Sequence, residues 1–356
     1  MAIKKVKTVI EKPIPMVGIE DTLGANVFTY KKTRIAFNKA DASKNLMREK
    51  TNAVFIFDVD PDNDQISNEM ISEDKTKVIN DYFEAKKKVL IFTSNSRFEV
   101  LYKYIVEVGK INTGYLVCNG GSLVYNIETK KNLFTAELGI NEKAMIAHTI
   151  QMQTLNSLAS SMKNDLLMSS NYIETKKFSE HCYVPRQVTD DYLKFSNFVL
   201  YNSILSMLCY ENNKNELMLK YDMFLRLSED WNIHVSNINN GWFIITPKGS
   251  NKINAVYKIL DSLNHTDVSN IFYFALNAFN NSLWWLAKDN HYVSSDCLAV
   301  NKKYFSRYIK YENNVFYTDK FRELLISVLP LFKKTAKAKP EVKTKKIHTT
   351  KKSKKQ

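Results

Sequence analysis

Cysteine is rare and scattered in this sequence. Cys118, Cys182, Cys209 and Cys297 are the four in 356 residues, and no two make a CxxC pair. That spacing excludes a zinc site of the CxxC kind and offers no disulfide framework. Reduced, mostly buried thiols are the expectation. The six histidines show no HExxH or other metal-ligand spacing. Long hydrophobic runs are missing too. The most apolar window, FVLYNSILSMLCY (198–210), is too short to span a bilayer and carries Asn and Ser. The start, MAIKKVKTVIEKPIP, is basic but lacks the apolar stretch of a signal peptide. A cytoplasmic protein without a membrane span is therefore expected. Glycine is sparse as well, at 9 residues, and lysine outnumbers arginine. The abundance of Asn, Lys, Tyr, Phe and Ile is the bias of an AT-rich genome, which concerns origin and not chemistry.

What is present is a globular composition. Hydrophobic residues make up 44% of the chain, enough to build a large core and two domains. The net charge of +14 is unevenly placed. Residues 333–356 hold 11 lysines and one glutamate, so +10 of the +14 lies there and the other residues carry +4. Such a segment cannot bury apolar surface and reads as a disordered, Lys-rich tail.

Along the chain the pattern changes twice. Residues 1–50 are polar and weakly patterned, with EKPIPMVG as a breaker-rich segment, and read as an N-terminal arm. A strand signal follows at 53–58. SEDKTKVINDYFEAKKK (72–88) has the periodicity of an amphipathic helix opened by Ser72. VLIFTSNSR (89–97) is an apolar run ending in small polar residues, and a helix is expected from Phe98 to about Val108. YLVCNGGSLVYN (115–126) reads as two short strands joined through Gly120 and Gly121. Strand, helix, strand, helix, strand is the α/β pattern of a parallel sheet. From 129 to 238 the pattern is α+β, beginning with INEKAMIAHTIQMQTLNSLASSM (140–162), which reads as one helix. Its methionines read as core. GWFIITPKGSNKINAVYKIL and NIFYFALNAFNNSLWWLA then resume strand, loop, helix. The expected division is an arm (1–50), a core in two segments (51–128 and 239–332), an inserted second domain (129–238) and the tail (333–356).

The first strand ends in carboxylates: VFIFDVDPDN, residues 54–63. Acidic turns after strands are common, since Asp, Asn and Pro are ordinary turn residues. Open α/β sheets also carry their sites at such strand ends. Residues two apart in an extended segment point the same way, so Asp58 and Asp60 can face one group.

Four segments in order resemble one family, the Cof-type phosphohydrolases of the haloacid dehalogenase superfamily, over about residues 52–330. FIFDVDPD resembles the family's DxDGT motif, which implies Asp58 as the nucleophile and Asp60 as the general acid and base. VLIFTSNSR resembles the second motif, in which a hydroxyl contacts the phosphoryl oxygens. That role falls to Thr93 or Ser94, while the group's usual TGR would align with Asn95, Ser96 and Arg97. CNGGSLVYN is similar to the segment that precedes the family's inserted cap. ITPKGSNK resembles the third motif and implies that Lys252 offsets charge on Asp58 and the phosphate, with Ser250 as the N-cap of its helix.

LNAFNN (276–281) resembles the fourth motif, GDxxND, with both acids replaced. The family holds Mg²⁺ with these acids and the first-motif aspartate. The implied metal set is Asp58, Asp60, Asn277 and Asn281, and Asn280 matches the family's asparagine beside the phosphate. Mg²⁺ is a hard cation that wants charged oxygens, so weak or lost Mg²⁺ binding is expected. Pro61 stands where the family has Gly, and Asp62 where it has Thr; Asp62 and Asp64 are nearby acids that could return charge.

The resemblance implies a Rossmann-like parallel-sheet core with an α+β cap, and two functions. One is a Mg²⁺-dependent phosphatase of small phosphorylated metabolites, impaired by the fourth motif, acting through an aspartyl-phosphate at Asp58. The other is an inactive protein of the same fold that serves as a binding or structural module. Its lysine tail would then contact nucleic acid, a ribosome or an acidic protein.

Overall fold

The computed structural model describes residues 53–60, 80, 88–180, 185–239, 241–264, 271–276, 280–287, 291–294, 297 and 315–316. The N-terminal arm, almost all of the 72–88 helix, Pro61, Asp62, Asp64, Asn277 and the lysine tail lie outside them.

In chain order the elements are β1 (Val54–Asp58), β2 (Val89–Thr93), α1 (Phe98–Tyr102), which runs on as a π-helical turn over Lys103–Val108, β3 (Tyr115–Cys118), β4 (Leu123–Asn126) and β5 (Lys131–Thr135). Then come α2 (Ile140–Met152), β6 (Asn156–Ser160), β7 (Asp165–Met168), α3 (Tyr172–Glu180), β8 (Val188–Thr189), α4 (Tyr192–Tyr201), β9 (Ser206–Tyr210), α5 (Lys214–Asp230), β10 (Ile233–Asn239) and β11 (Trp242–Pro247). The last are α6 (Lys252–Ser262), β12 (Ile271–Ala275), α7 (Asn281–Leu286), β13 (His291–Ser294) and β14 (Val315–Phe316).

They form two sheets. The first has the order β14-β13-β12-β1-β2-β3-β4-β5. Its strands from β14 to β3 pair in parallel, and β4 and β5 add an antiparallel edge. The chain steps from β1 to β2 on one side and later returns to place β12 on the other. The sheet therefore has its topological switch point at β1, where the crevice at the carboxyl ends of parallel strands opens.

Every residue of β1 and of β12 is buried, as expected of strands covered on both faces. On one face Phe55 stacks on Phe272 at 5.3 Å and Phe57 on Phe274 at 4.8 Å, a cross-strand aromatic ladder. On the other face Val54, Ile56 and Tyr273 pack with Ala255, Val256, Ile259 and Leu260 of α6 and with Leu283 and Trp284 of α7. The buried residues of α6 fall at 252, 255, 256, 259 and 260, one helical stripe.

The second sheet, ordered β10-β11-β9-β6-β7-β8, is antiparallel except for β7 with β8. One face carries α2, α4 and α5 through Ile146, Ala147, Val199, Leu217 and Phe224. The other face, with Leu158, Leu208, Trp242 and Ile244, packs around Phe178 of α3. Among the described residues no helix is long and apolar enough to cross a membrane.

Three expectations need correction. Residues 140–162 are not one helix. The helix stops at Met152, Thr154 takes a left-handed φ of 45°, and Asn156–Ser160 become β6 between β7 and β9. The expected boundaries at 128/129 and 238/239 also shift. Lys131–Thr135 pair with β4 in the first sheet, and Trp242–Pro247 pair with β9 and β10 in the second. An apolar strand followed by a loop and a helix reads the same in either sheet, because the partner strand is absent from the local pattern. Finally, the N-cap of α6 is Asn251, whose side chain accepts from the Asn254 N–H, and not Ser250.

Candidate active site

The site grows from strand parity. In β1 the side chains of Val54, Ile56 and Asp58 share one face. That face is covered by α6 and α7, so the carboxylate at the end of β1 meets the first residue of α6, Lys252. Asp58 is fully buried and Lys252 is 3% exposed. The Lys252 Nζ donates to Asp58 Oδ1 at 2.7 Å.

Neighbouring strands supply two hydroxyls. Thr93 ends β2 in register with Asp58, and its Oγ1 donates to Asp58 Oδ1 at 2.9 Å. Tyr273 sits in register with Ile56 on β12, so its ring runs along the same face toward the strand end. Its hydroxyl donates to Asp58 Oδ2 at 2.9 Å and accepts the Asn280 N–H at 2.8 Å. Burial, reinforced by the Asp58 charge, pushes the Tyr273 phenol well above its ordinary range, so it stays a donor. Backbone bonds tie the strand ends together: Leu276 N–H to Asp58 O, Val59 N–H to Thr93 O, and Ser94 N–H to Val117 O.

Asp60 lies beside this cluster and faces the β2 loop. Its Oδ1 accepts from Ser94 Oγ at 2.6 Å and from the Asn95 N–H at 2.7 Å, and its Oδ2 accepts from Asn95 Nδ2 at 2.9 Å. Ser94 Oγ in turn accepts the Ser96 N–H at 2.9 Å. The two candidates for one hydroxyl role thus divide between the aspartates, Thr93 on Asp58 and Ser94 on Asp60. Asn280 spends its side-chain oxygen on the Leu283 N–H, as the N-cap of α7. Asn281 opens that helix, and Asn277 lies outside the described residues.

Two residues with a direct part were not singled out from sequence, Tyr273 and Asn95 as a donor to Asp60. Tyr273 had one signal: a hydroxyl-bearing residue within an otherwise apolar strand that runs toward the fourth motif.

The second domain meets the core close to these groups. The Gly120–Gly121 turn lies against Ile244 and Thr246 of β11 and against Asn251 and Lys252. Asn119 Nδ2 donates to Ser206 Oγ at 3.0 Å. Arg97, two residues beyond Asn95, pairs with the buried Asp165, and Arg186 pairs with Glu99.

A parallel α/β core whose switch point carries two aspartates and a buried lysine, with a second α+β sheet inserted between its two segments, defines a class of capped phosphoryl-transfer folds. Residues 55–274 match the family model of the haloacid dehalogenase-like hydrolases. That match spans more than half of the chain, which therefore belongs to this family. No curated protein sequence matches the chain. Solved structures show the same fold. TM0651 from Thermotoga maritima superposes with a TM-score of 0.57 at 17% identity, over 78% of this chain and 97% of that one. SMU.1108c from Streptococcus mutans UA159 gives 0.60 at 13% identity, over 78% and 98%. The HAD subclass IIB sugar phosphatase BT4131 gives 0.56 at 12% identity, over 79% and 99%.

The magnesium that the family implies does not fit the donors described here. Mg²⁺ takes oxygen ligands at about 2.0–2.1 Å in near-ideal octahedral geometry. Asp58 already accepts three protein hydrogen bonds, and so does Asp60. The Asn280 oxygen is held by a helix cap. Among the described residues, no group of three or more His, Cys, Asp or Glu stands ready for a metal ion.

Proposed function

We propose that this protein hydrolyses phosphomonoesters of small metabolites in the cytoplasm, slowly, through an aspartyl-phosphate on Asp58. The observation that carries this reading is the Lys252–Asp58 contact beside Asp60 at the carboxyl ends of β1 and β2. An Asp58 carboxylate oxygen attacks phosphorus, and the bond from phosphorus to the ester oxygen breaks. Asp60 gives that oxygen a proton. The Asp60 carboxylate then takes a proton from water, the resulting hydroxide attacks phosphorus, and phosphate leaves as Asp58 is restored. Lys252 offsets the charge that builds on the phosphoryl oxygens. Thr93 and Tyr273 hold the nucleophile in place. No step is routed through a metal.

The same geometry supports slow turnover. Three donors stabilise the resting Asp58 carboxylate, and the residue is fully buried. Turnover of p-nitrophenyl phosphate should fall below about 1 per second, the lower end of the range usual for enzymes. It should vanish in Asp58→Asn. Hydroxylamine trapping should find the phosphoryl group on Asp58. A wild-type rate no higher than that of Asp58→Asn would remove the catalytic reading.

The second reading, an inactive binding module, is favoured by the replaced acids of the fourth motif and by the +10 tail. Lysine is a mobile point charge, so a phosphate backbone would be bound without regard to its sequence. If about 5 lysines each neutralise one duplex phosphate, log affinity should fall with log salt at a slope near −4.5. Removal of 333–356 should flatten that slope. A full-length chain that binds no duplex even at low salt would leave only solubility, or an acidic protein partner, for the tail.

A further inference from the structure

We propose that the Tyr273 hydroxyl takes, on Asp58 Oδ2, the position that a divalent cation would otherwise fill, and so acts as a positioning group that excludes metal from this centre. The family's cation bonds an oxygen of the first-motif aspartate, and each carboxylate oxygen offers about two lone pairs. Here Oδ1 already accepts from both Thr93 and Lys252. Oδ2 is the remaining oxygen, and the phenol proton is aimed at it over 2.9 Å.

The hydroxyl is fixed from its other side as well. Its oxygen accepts the Asn280 N–H at 2.8 Å, so the proton has one acceptor left to point to, Asp58. A cation at metal-bonding distance from Oδ2 would compete with that proton for the oxygen. The ring is fully buried in one cluster with Ile56 and Trp284, the latter 6.4 Å away centroid to centroid. A neutral phenol supplies a dipole where the cation would supply two charges. The Asp58 charge is left to Lys252. In this chain the asparagines of the fourth motif and the phenol on Asp58 work in the same direction, since both leave a cation with less charged oxygen to bind.

This inference rests on family membership and not on turnover, and its test reads metal binding alone. Mg²⁺ and Mn²⁺ affinities would be measured by calorimetry, with metal-induced shifts in melting temperature, on full-length protein. The variants are Asn277→Asp/Asn281→Asp, that pair with Tyr273→Phe added, and the resulting triple variant with Asp58→Asn added. The triple variant should bind Mg²⁺ about 10-fold or more tighter than the double, the scale on which outer-shell partners act on metal sites. The gain should disappear with Asp58→Asn. Equal affinity in the double and triple variants would overturn the proposal, and so would a gain that survives Asp58→Asn. Tyr273→Leu, which also lacks the hydroxyl, replaces Tyr273→Phe if the latter fails to fold. Phosphatase assays on the unaltered chain decide the proposed activity separately.

Discussion

Lys252 and Asp58, 194 residues apart in sequence, meet in a buried ion pair at 2.7 Å. Neither charge has solvent to fall back on. Removing one partner of such a pair costs about 3–5 kcal/mol, because the survivor is left buried and uncompensated. Lys252→Met should therefore lower stability by about that much in urea titrations. Adding Asp58→Asn should recover a large part of the loss, since it removes the stranded charge. A double variant less stable than Lys252→Met would show that the pair is not what holds these segments together.

Among the described residues two ion pairs join the core to the second domain, and they should differ sharply in weight. Arg97 faces Asp165, which is 1% exposed, whereas Arg186 and Glu99 are 40% and 36% exposed. Burial also pushes the Arg97 guanidinium down from its ordinary range, the mark of a desolvated cation. Arg97→Met should cost about 3 kcal/mol or more. Arg186→Met should cost about 0–1 kcal/mol, as exposed pairs do. Similar losses for the two, read from urea midpoints, would contradict this ranking.

Strands of the first sheet were legible because β-branched and aromatic runs stop abruptly at small polar residues, as VFIFD and VLIFT do. The same local signal misled at Trp242–Pro247, since a strand's pattern does not name its partner. Asn156–Ser160 was hidden because NSLAS is weakly apolar and follows a helix without a Gly or Pro to mark the break. At the site, spacing set Asp58 and Asp60 on one face, and the resemblance of ITPKGSNK to the family's third motif singled out Lys252. Tyr273 stayed hidden because a tyrosine in an apolar strand reads as core packing, and only the register of β12 against β1 brings its hydroxyl to Asp58.

Alkaline pH offers a check on Tyr273. Its phenol is raised well above the ordinary value by burial and by Asp58, and Tyr292 is pushed up to about 12 by burial. A raised phenol contributes stability that is fully present below the unfolded value of about 10 and is lost as pH rises through the folded value. Unfolding free energy should therefore decline above pH 10, by about 1.4 kcal/mol per pH unit for each such tyrosine. Tyr273→Phe should show a shallower decline between pH 10 and 12. An unchanged alkaline slope would mean that Tyr273 is not held protonated by the fold.

Two glycines near α6 make opposite demands, which separates backbone strain from steric contact. Gly121 has φ +107°, and a Cβ there would lie 2.2 Å from the Asn251 carbonyl carbon and 2.7 Å from Lys252 N. Gly249 has φ +77°, and a Cβ there would meet nothing within 4 Å. Gly249→Ala should cost only the left-handed backbone penalty, about 1–2 kcal/mol. Gly121→Ala carries a similar conformational penalty and a clash with backbone that cannot rotate away. Relief requires the turn and the start of α6 to part, which moves Lys252 off Asp58. Gly121→Ala should thus lose clearly more stability than Gly249→Ala in thermal melts. Equal losses at the two positions would mean that the turn and α6 are not in the contact described.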